Sequence, residues 1–197
     1  KTLYVMDPLD IINVEGDSTY MLMLEANKRG WPTYFCTPSD LYVENGKAKG
    51  KINRVYVSDE SPDFQKRPTE ILGLGELHVI WMRKDPPFDM DYVFTTYLLD
   101  LVPEKTLVLN DPSAIRNCNE KMYALKWAEL CPKTLVTRKI EEARQWSKQY
   151  EKVVIKPWDG NGGRGVLVSS FSDPNYRSML EILMDQEKQY IIVQEYL

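Results

Sequence analysis

The residues best equipped for chemistry are two lysines and a run of glycines. Lys156 closes the apolar segment Val153-Val154-Ile155 and is followed by Pro157-Trp158 and then Asp159-Gly160-Asn161-Gly162-Gly163-Arg164-Gly165. Glycines at 160, 162, 163 and 165 free the backbone for positive φ and for close approach to a ligand. A glycine loop between two extended segments, with a lysine at its mouth, suits a polyphosphate, because backbone N–H groups and one ammonium meet its charge. It is not a Walker A loop: no Gly-Lys-Ser/Thr follows, and Val166-Leu167-Val168-Ser169 reads as a strand rather than a helix. The plainer alternative is a flexible hairpin with an exposed lysine, which leaves the glycine density without a use. Lys121, at the head of a helical pattern after Arg116-Asn117-Cys118-Asn119-Glu120, gains meaning only beside Lys156. Together the two can bracket neighbouring phosphates from two elements.

Two further segments could meet a ligand. Gln194-Glu195-Tyr196-Leu197 leaves a buried strand and can offer backbone amide and carbonyl groups to an adenine edge, or be an ordinary strand exit. Arg83 stands in Met82-Arg83-Lys84-Asp85-Pro86-Pro87-Phe88-Asp89, at the carboxyl end of an expected parallel strand, where open α/β sheets bind ligands. Pro86-Pro87 stiffens that loop, and Arg83 could pair bidentately with a substrate carboxylate. A rigid turn with solvated charges fits the same residues. His78 is the one histidine and lies among apolar neighbours, so a packed structural role is expected. Cys36, Cys118 and Cys131 are odd in number and widely spaced, which argues against a disulfide framework and against a zinc site.

The elements that must position these residues follow from periodicity. Leu3–Met6 reads as a buried strand, Ser18–Arg29 as a helix capped by Asp17 or Ser18 and closed by Gly30, and Pro32–Cys36 as a second strand. This is a βαβ unit, the building block of a parallel sheet. Leu41–Val57 reads as a hairpin turned at Asn45-Gly46, and Ser58–Pro68 as a polar surface loop. Strands are expected at Val79–Arg83 and Leu107–Leu109, with a helix at Asp91–Leu101 between them. Beyond a boundary between Asp111 and Lys121, helices are expected at Asn119–Leu130, Ile140–Tyr150 and Met179–Asp185. Strands are expected there at Lys133–Thr137, Val153–Pro157, Val166–Ser169 and Tyr190–Leu197. The whole reads as α/β: a doubly wound parallel-sheet domain at 1–117, then a smaller α+β unit at 118–197.

Composition narrows the function classes. With 43% hydrophobic and 27% charged residues among 197, the chain has the profile of a soluble globular protein with a sizeable core. A net charge of −4 argues against nucleic acid as the main partner. No apolar run approaches the roughly 18–20 residues that span a membrane, and Lys1–Val5 carries no signal-peptide pattern, so the expected compartment is the cytoplasm.

Several blocks, in order along nearly the whole chain, resemble the N-terminal portion of prokaryotic-type glutathione synthetases. They are Val5-Met6-Asp7-Pro8, Asp17-Ser18-Thr19-Tyr20, Met82–Asp89, Asn117–Lys121, Lys133–Arg138 and Lys156–Gly163. The Arg-Lys-Asp-Pro-Pro-Phe-Asp block is specific to that family, whereas Lys-Pro followed by Gly-x-Gly-Gly belongs to the wider ATP-grasp superfamily. The resemblance implies a pre-ATP-grasp domain followed by the lid subdomain of an ATP-grasp fold. It implies that ATP phosphorylates the cysteinyl carboxylate of γ-glutamylcysteine and that glycine displaces phosphate from the acyl phosphate. By the same resemblance Lys121 and Lys156 meet the nucleotide phosphates, and the loop with Gly160, Asn161, Gly162 and Gly163 is the lid over them. Gln194, Glu195, Tyr196 and Leu197 meet adenine; Arg83, Asp17 and Ser18 lie near the dipeptide.

The family's Mg²⁺ ligands, its remaining ATP-grasp subdomain and several substrate arginines are expected after Leu197, so no catalytic or metal residue is assigned here and the fragment alone is expected to be inactive. A homo-oligomer, tetrameric in the family, is implied as well. Arg164-Gly165 departs from the pattern, since relatives often carry smaller, less charged residues there. Two other readings stand beside this one: a different ATP-grasp carboxylate–amine ligase, such as a glutamate or D-alanine ligase, or a non-catalytic nucleotide-binding module.

Overall fold

The computed structural model describes residues 1–59, 63–160 and 162–197. The chain divides into two compact units, Lys1–Asn117 and Cys118–Leu197.

In the first unit β1 (Thr2–Val5), α1 (Ser18–Lys28) and β2 (Thr33–Cys36) form the expected βαβ unit, with β1 and β2 parallel and Leu3 opposite Tyr34. Asp17 caps α1, its Oδ1 accepting from the Tyr20 amide at 2.7 Å. The helix ends in a Schellman motif: Gly30 takes φ 70°, its amide donates to Asn27 O, and the Trp31 amide donates to Ala26 O. The hairpin of β3 (Leu41–Glu44) and β4 (Lys47–Tyr56) turns through Asn45 and Gly46, both at positive φ, as a type I′ turn requires.

β5 (Gln65–Gly73) pairs antiparallel with β4, and β6 (Val79–Met82) pairs parallel with β1. After α2 (Met90–Asp100), β7 (Leu107–Leu109) pairs parallel with β6, and α3 (Pro112–Asn117) closes the unit. Among the described residues the sheet has seven strands, running β3-β4-β2-β1-β6-β7, with β5 paired to β4 off this path.

Alternation along β1 explains why both faces of this sheet are covered. Leu3 and Val5 join Tyr34, Ile80, Met82 and Leu99 in one core. Tyr4 and Met6 join Tyr20, Met23, Leu24 and Phe35 of α1 and β2 in the other. A strand buried on both faces reads as a continuous apolar run, which is how Leu3–Met6 reads. The doubly wound part is the parallel set β2-β1-β6-β7, and antiparallel strands finish one edge.

The stretch Ser58–Pro68, expected to be loop, enters β5 at Gln65; its residues 60–62 lie outside those described. Gln65–Ile71 is exposed throughout, so no apolar alternation marks it as a strand. Pro68 sits at an irregularity of the β4–β5 ladder, in an edge position where proline is tolerated.

The second unit opens with a 3-10 segment, Tyr123–Leu130, in place of the expected α-helix at Asn119–Leu130. Asn119 Oδ1 accepts from the amides of Lys121 and Met122, a local side-chain bond that competes with helix initiation, and Trp127 leaves helical geometry at φ −119°, ψ 56°. β8 (Thr134–Thr137), α4 (Ile140–Ser147), β9 (Val153–Pro157), β10 (Leu167–Ser169), α5 (Tyr176–Leu183) and β11 (Ile191–Glu195) follow. Among the described residues they build a four-stranded antiparallel sheet in the order β10-β9-β11-β8. Val153, Ile155, Ile191 and Val193 point to a core completed by Ala143, Tyr176, Leu180 and Met184.

Candidate functional site

Strand alternation decides where Lys156 goes. Val153 and Ile155 face the helices, so Val154 and Lys156 project from the opposite face of β9, where Lys156 lies across from Ile192 of β11. Burial lowers the Lys156 ammonium below its usual value, and the nearby charge of Lys121 lowers it further. Lys121 reaches the loop that follows β9 from a separate element. Lys121 has a side chain 17% exposed, lies 3.3 Å from Glu120 Oε1, and donates from Nζ to the Gly160 carbonyl. Glu120 partners Lys121, whereas the Lys156 ammonium is disfavoured by burial and by the Lys121 charge, a penalty that a bound anion would relieve.

The loop after β9 has the backbone the sequence requires. Gly162 and Gly163 take φ 60° and 74°, and a Cβ at either would meet nothing within 4 Å, so conformation rather than crowding demands glycine there. At Gly160 the demand is steric, since a Cβ would stand 2.4 Å from Pro157 Cγ. Asn161 lies outside the described residues. Two ammonium groups beside a backbone of this freedom fit a polyphosphate. No carboxylate, His or Cys cluster of three or more, as a metal ion would need, occurs among the described residues, and no step below is routed through a metal.

The segment 194–197 is tied down more than the sequence implies. The Glu195 amide donates to Lys133 O and the Tyr196 amide to Lys152 O, at 3.0 and 3.2 Å. Glu195 Oε1 accepts from the Lys133 amide at 2.7 Å, and Gln194 Nε2 donates to Thr134 Oγ1. An adenine edge at this segment would be read by its other groups, not by those two amides. Leu197 is exposed.

In the first unit, Arg83 and Ser18 are brought together. Arg83 Nη2 donates to Ser18 Oγ at 2.7 Å and Nε to Thr19 Oγ1 at 3.0 Å, while its backbone amide donates to Val5 O. Asp17 is engaged as the α1 cap. Arg83 thus stands at the positive end of α1, a location that favours an anion. Lys84 turns the other way and pairs with Asp7 Oδ1 at 2.9 Å, and Asp7 Oδ2 accepts from the Asp85 amide. This clamp holds the β6–α2 loop at the carboxyl ends of β1, β2 and β6, where α1 and α2 leave for opposite faces of the sheet. A cleft of about 590 Å³ opens there, lined by Asp7, Thr37, Ser39, Lys84, Tyr92 and Thr95 among others. Burial raises the Tyr92 phenol; the Arg83 charge opposes this, and Asp85 and Asp7 reinforce it.

Thr19, Asp7 and Tyr92 carry no role in the sequence reading. Asp7 and Thr19 fall inside the family-like blocks, which was the only signal for them; Tyr92 had none. His78 is exposed rather than packed, because it precedes β6 at the sheet end, and its carbonyl accepts from the Leu107 amide. All three cysteines are free, and burial raises the Cys36 thiol far above its usual range.

Comparison with known proteins identifies the fold and the family. The family model of the prokaryotic glutathione synthetase N-terminal domain matches residues 1–116, and that of the prokaryotic glutathione synthetase ATP-grasp domain matches 120–197. The crystal structure of D-cycloserine synthetase DcsG superposes with a TM-score of 0.61 at 15% identity, covering 100% of this chain and 60% of its own. A RimK-domain ATP-grasp protein from Sphaerobacter thermophilus gives 0.57 at 17% identity, with 100% and 64% covered. The fold is therefore that of the ATP-grasp proteins. Glutathione synthetase of Photorhabdus laumondii is 36% identical over 195 residues, which is 98% of this chain and 62% of that protein. The chain belongs to the prokaryotic glutathione synthetase family, and it spans about three-fifths of the length of the curated relatives it matches.

Proposed function

We propose that the protein joins γ-glutamylcysteine to glycine at the expense of ATP. The observation that carries the reading is Lys121 Nζ on the Gly160 carbonyl, at the mouth of the positive-φ glycine loop that follows Lys156, in a chain of this family. ATP, when bound, supplies the phosphoryl group that activates the cysteinyl carboxylate as an acyl phosphate, leaving ADP; the glycine amine then attacks the acyl carbon and displaces inorganic phosphate. Lys121 and Lys156 neutralise phosphate charge that would otherwise oppose both binding and transfer. The Gly160–Gly165 loop brings backbone amides to the same oxygens, and segment 194–197 borders the adenine. In the first unit Arg83, with Ser18 and the capped start of α1, holds a carboxylate of the dipeptide. Positioning rather than covalent participation is the protein's contribution.

Mg²⁺ belongs to this reading as the family's metal. A cytoplasmic homo-oligomer, tetrameric as in the family, belongs to it too; no described helix is long and apolar enough to cross a membrane. The test is phosphate release by the polypeptide as its gene encodes it, with ATP, Mg²⁺, γ-glutamylcysteine and glycine. Release that needs both amino-acid substrates, with glutathione formed in equal amount, is the expected result. Release that ignores glycine, or that needs a different amine, overturns it.

A further inference from the structure

Arg83 is useful to a carboxylate only if its guanidinium is held in one orientation, and the structure shows what holds it. The side chain leaves the end of β6 and crosses to α1, where Nε donates to Thr19 Oγ1 and Nη2 to Ser18 Oγ. The two acceptors differ in kind. Ser18 is exposed, and its hydroxyl can rotate toward water or a ligand. Thr19 is 3% exposed and sits in the first turn of a helix whose next residue, Tyr20, is packed in the core beneath it. Thr19 is enclosed by its neighbours, so its Oγ1 is held by packing and has no water to turn to, unlike the Ser18 hydroxyl.

A guanidinium has five N–H donors in a rigid plane. With Nε fixed by Thr19 and one Nη2 proton by Ser18, the plane is set and the Nη1 end is turned away from the helix. We propose that Thr19 is the positioning residue for Arg83, and that the Nη1 end of the guanidinium is what recognises a carboxylate of the peptide substrate. This rests on the ligase reading above. Thr19 touches no substrate in this scheme; it acts through Arg83.

The test compares Thr19→Val, which keeps shape and loses the acceptor, with Thr19→Ser, which keeps the acceptor, both in the full-length polypeptide. A hydrogen bond to a charged group contributes on the order of ten-fold or more in affinity. Thr19→Val should therefore raise KM for γ-glutamylcysteine by about ten-fold and leave KM for ATP within about two-fold. Thr19→Ser should restore the wild-type value. Against γ-glutamylcysteine analogues carrying one carboxylate as the amide, the wild-type and Thr19→Val enzymes should become alike for the carboxylate that Arg83 holds. If Thr19→Val does not fold, Thr19→Ala carries the same comparison.

Equal KM values for wild type and variant, or a KM for ATP that rises in step, overturn the positioning role while leaving the ligase reading intact. Failure of the wild-type polypeptide to form glutathione overturns the ligase reading and this one with it. A purely structural Thr19 would lower the melting temperature and the amount of active enzyme without separating the two KM values.

Discussion

Lys121 donates to the carbonyl of Gly160, in the loop that Lys156 precedes, and its charge bears on the Lys156 ammonium. Lys121 lies in the turn before the 3-10 segment and Lys156 near the end of β9. Such an arrangement costs stability in the absence of an anion, and the cost has a readable pH dependence. The Lys156 pKa is lowered in the fold from 10.5, so the unfolded chain binds more protons in the window between the folded value and 10.5. Stability therefore rises with pH across that window. Lys156→Met should remove this rise and leave the fold no less stable at neutral pH, while weakening nucleotide binding by about ten-fold or more. Chemical unfolding at neutral and alkaline pH, together with nucleotide titration, reads both effects. A variant that is less stable and binds nucleotide normally would contradict the assignment.

Glycine replacements in the loop separate two physical demands. Gly163→Ala adds a Cβ into open space at φ 74°, so its cost should be conformational, about 1 kcal/mol. Gly160→Ala meets the Pro157 ring at 2.4 Å and Arg164 O at 3.1 Å, so the end of β9 must shift. It should lower the melting temperature more than Gly163→Ala does. Thermal unfolding of the two variants side by side decides the order.

Much of the first unit is legible because its signals are local. Asp17 before α1, Gly30 after it and Asn45-Gly46 between β3 and β4 each carry a backbone demand that few other residues meet. β5 is hidden for the opposite reason: an exposed edge strand needs no apolar alternation, and Gln65–Glu70 has none. Helix α3 was not anticipated at all, and Asn119 redirected the start of the next segment by a side-chain bond that periodicity does not register. At the candidate site the glycines and lysines announce themselves by type. The Thr19–Arg83 bond spans 64 positions and leaves no trace in spacing.

Glu187 gives the second unit an acid limit. Its Oε1 accepts from the Ile140 amide at the start of α4, at 2.9 Å, and its Oε2 meets Lys139 Nζ at 3.1 Å. The Ile140 bond, then the bond to Lys139, lowers the Glu187 pKa from 4.5. A depressed carboxylate contributes stability that is present above its unfolded pKa and is lost as pH falls through the folded value. Unfolding midpoints should drop below pH 4.5 in the wild type, and Glu187→Gln should flatten that part of the curve. Identical acid profiles for the two proteins would rule Glu187 out.

Arg116 ties α3 to α2 at the end of the first unit. Nη2 pairs with Asp100 at 2.7 Å, Nη1 donates to Thr96 Oγ1 at 2.8 Å, and the guanidinium lies 4.6 Å from the centre of the Tyr97 ring. Thr96 is fully buried and the Arg116 side chain is 18% exposed, so the Thr96 bond is shielded from water, while the Asp100 side chain is 38% exposed and its charge pair is partly solvated. Arg116→Met keeps the aliphatic stem and loses every polar partner; it should cost about 2 kcal/mol in chemical denaturation. Arg116→Lys can reach Asp100 but cannot hold Asp100 and Thr96 from one rigid plane, so it should recover only part of the loss. If Lys serves as well as Arg, the planar fork is not what secures α3, and the Asp100 charge pair alone does.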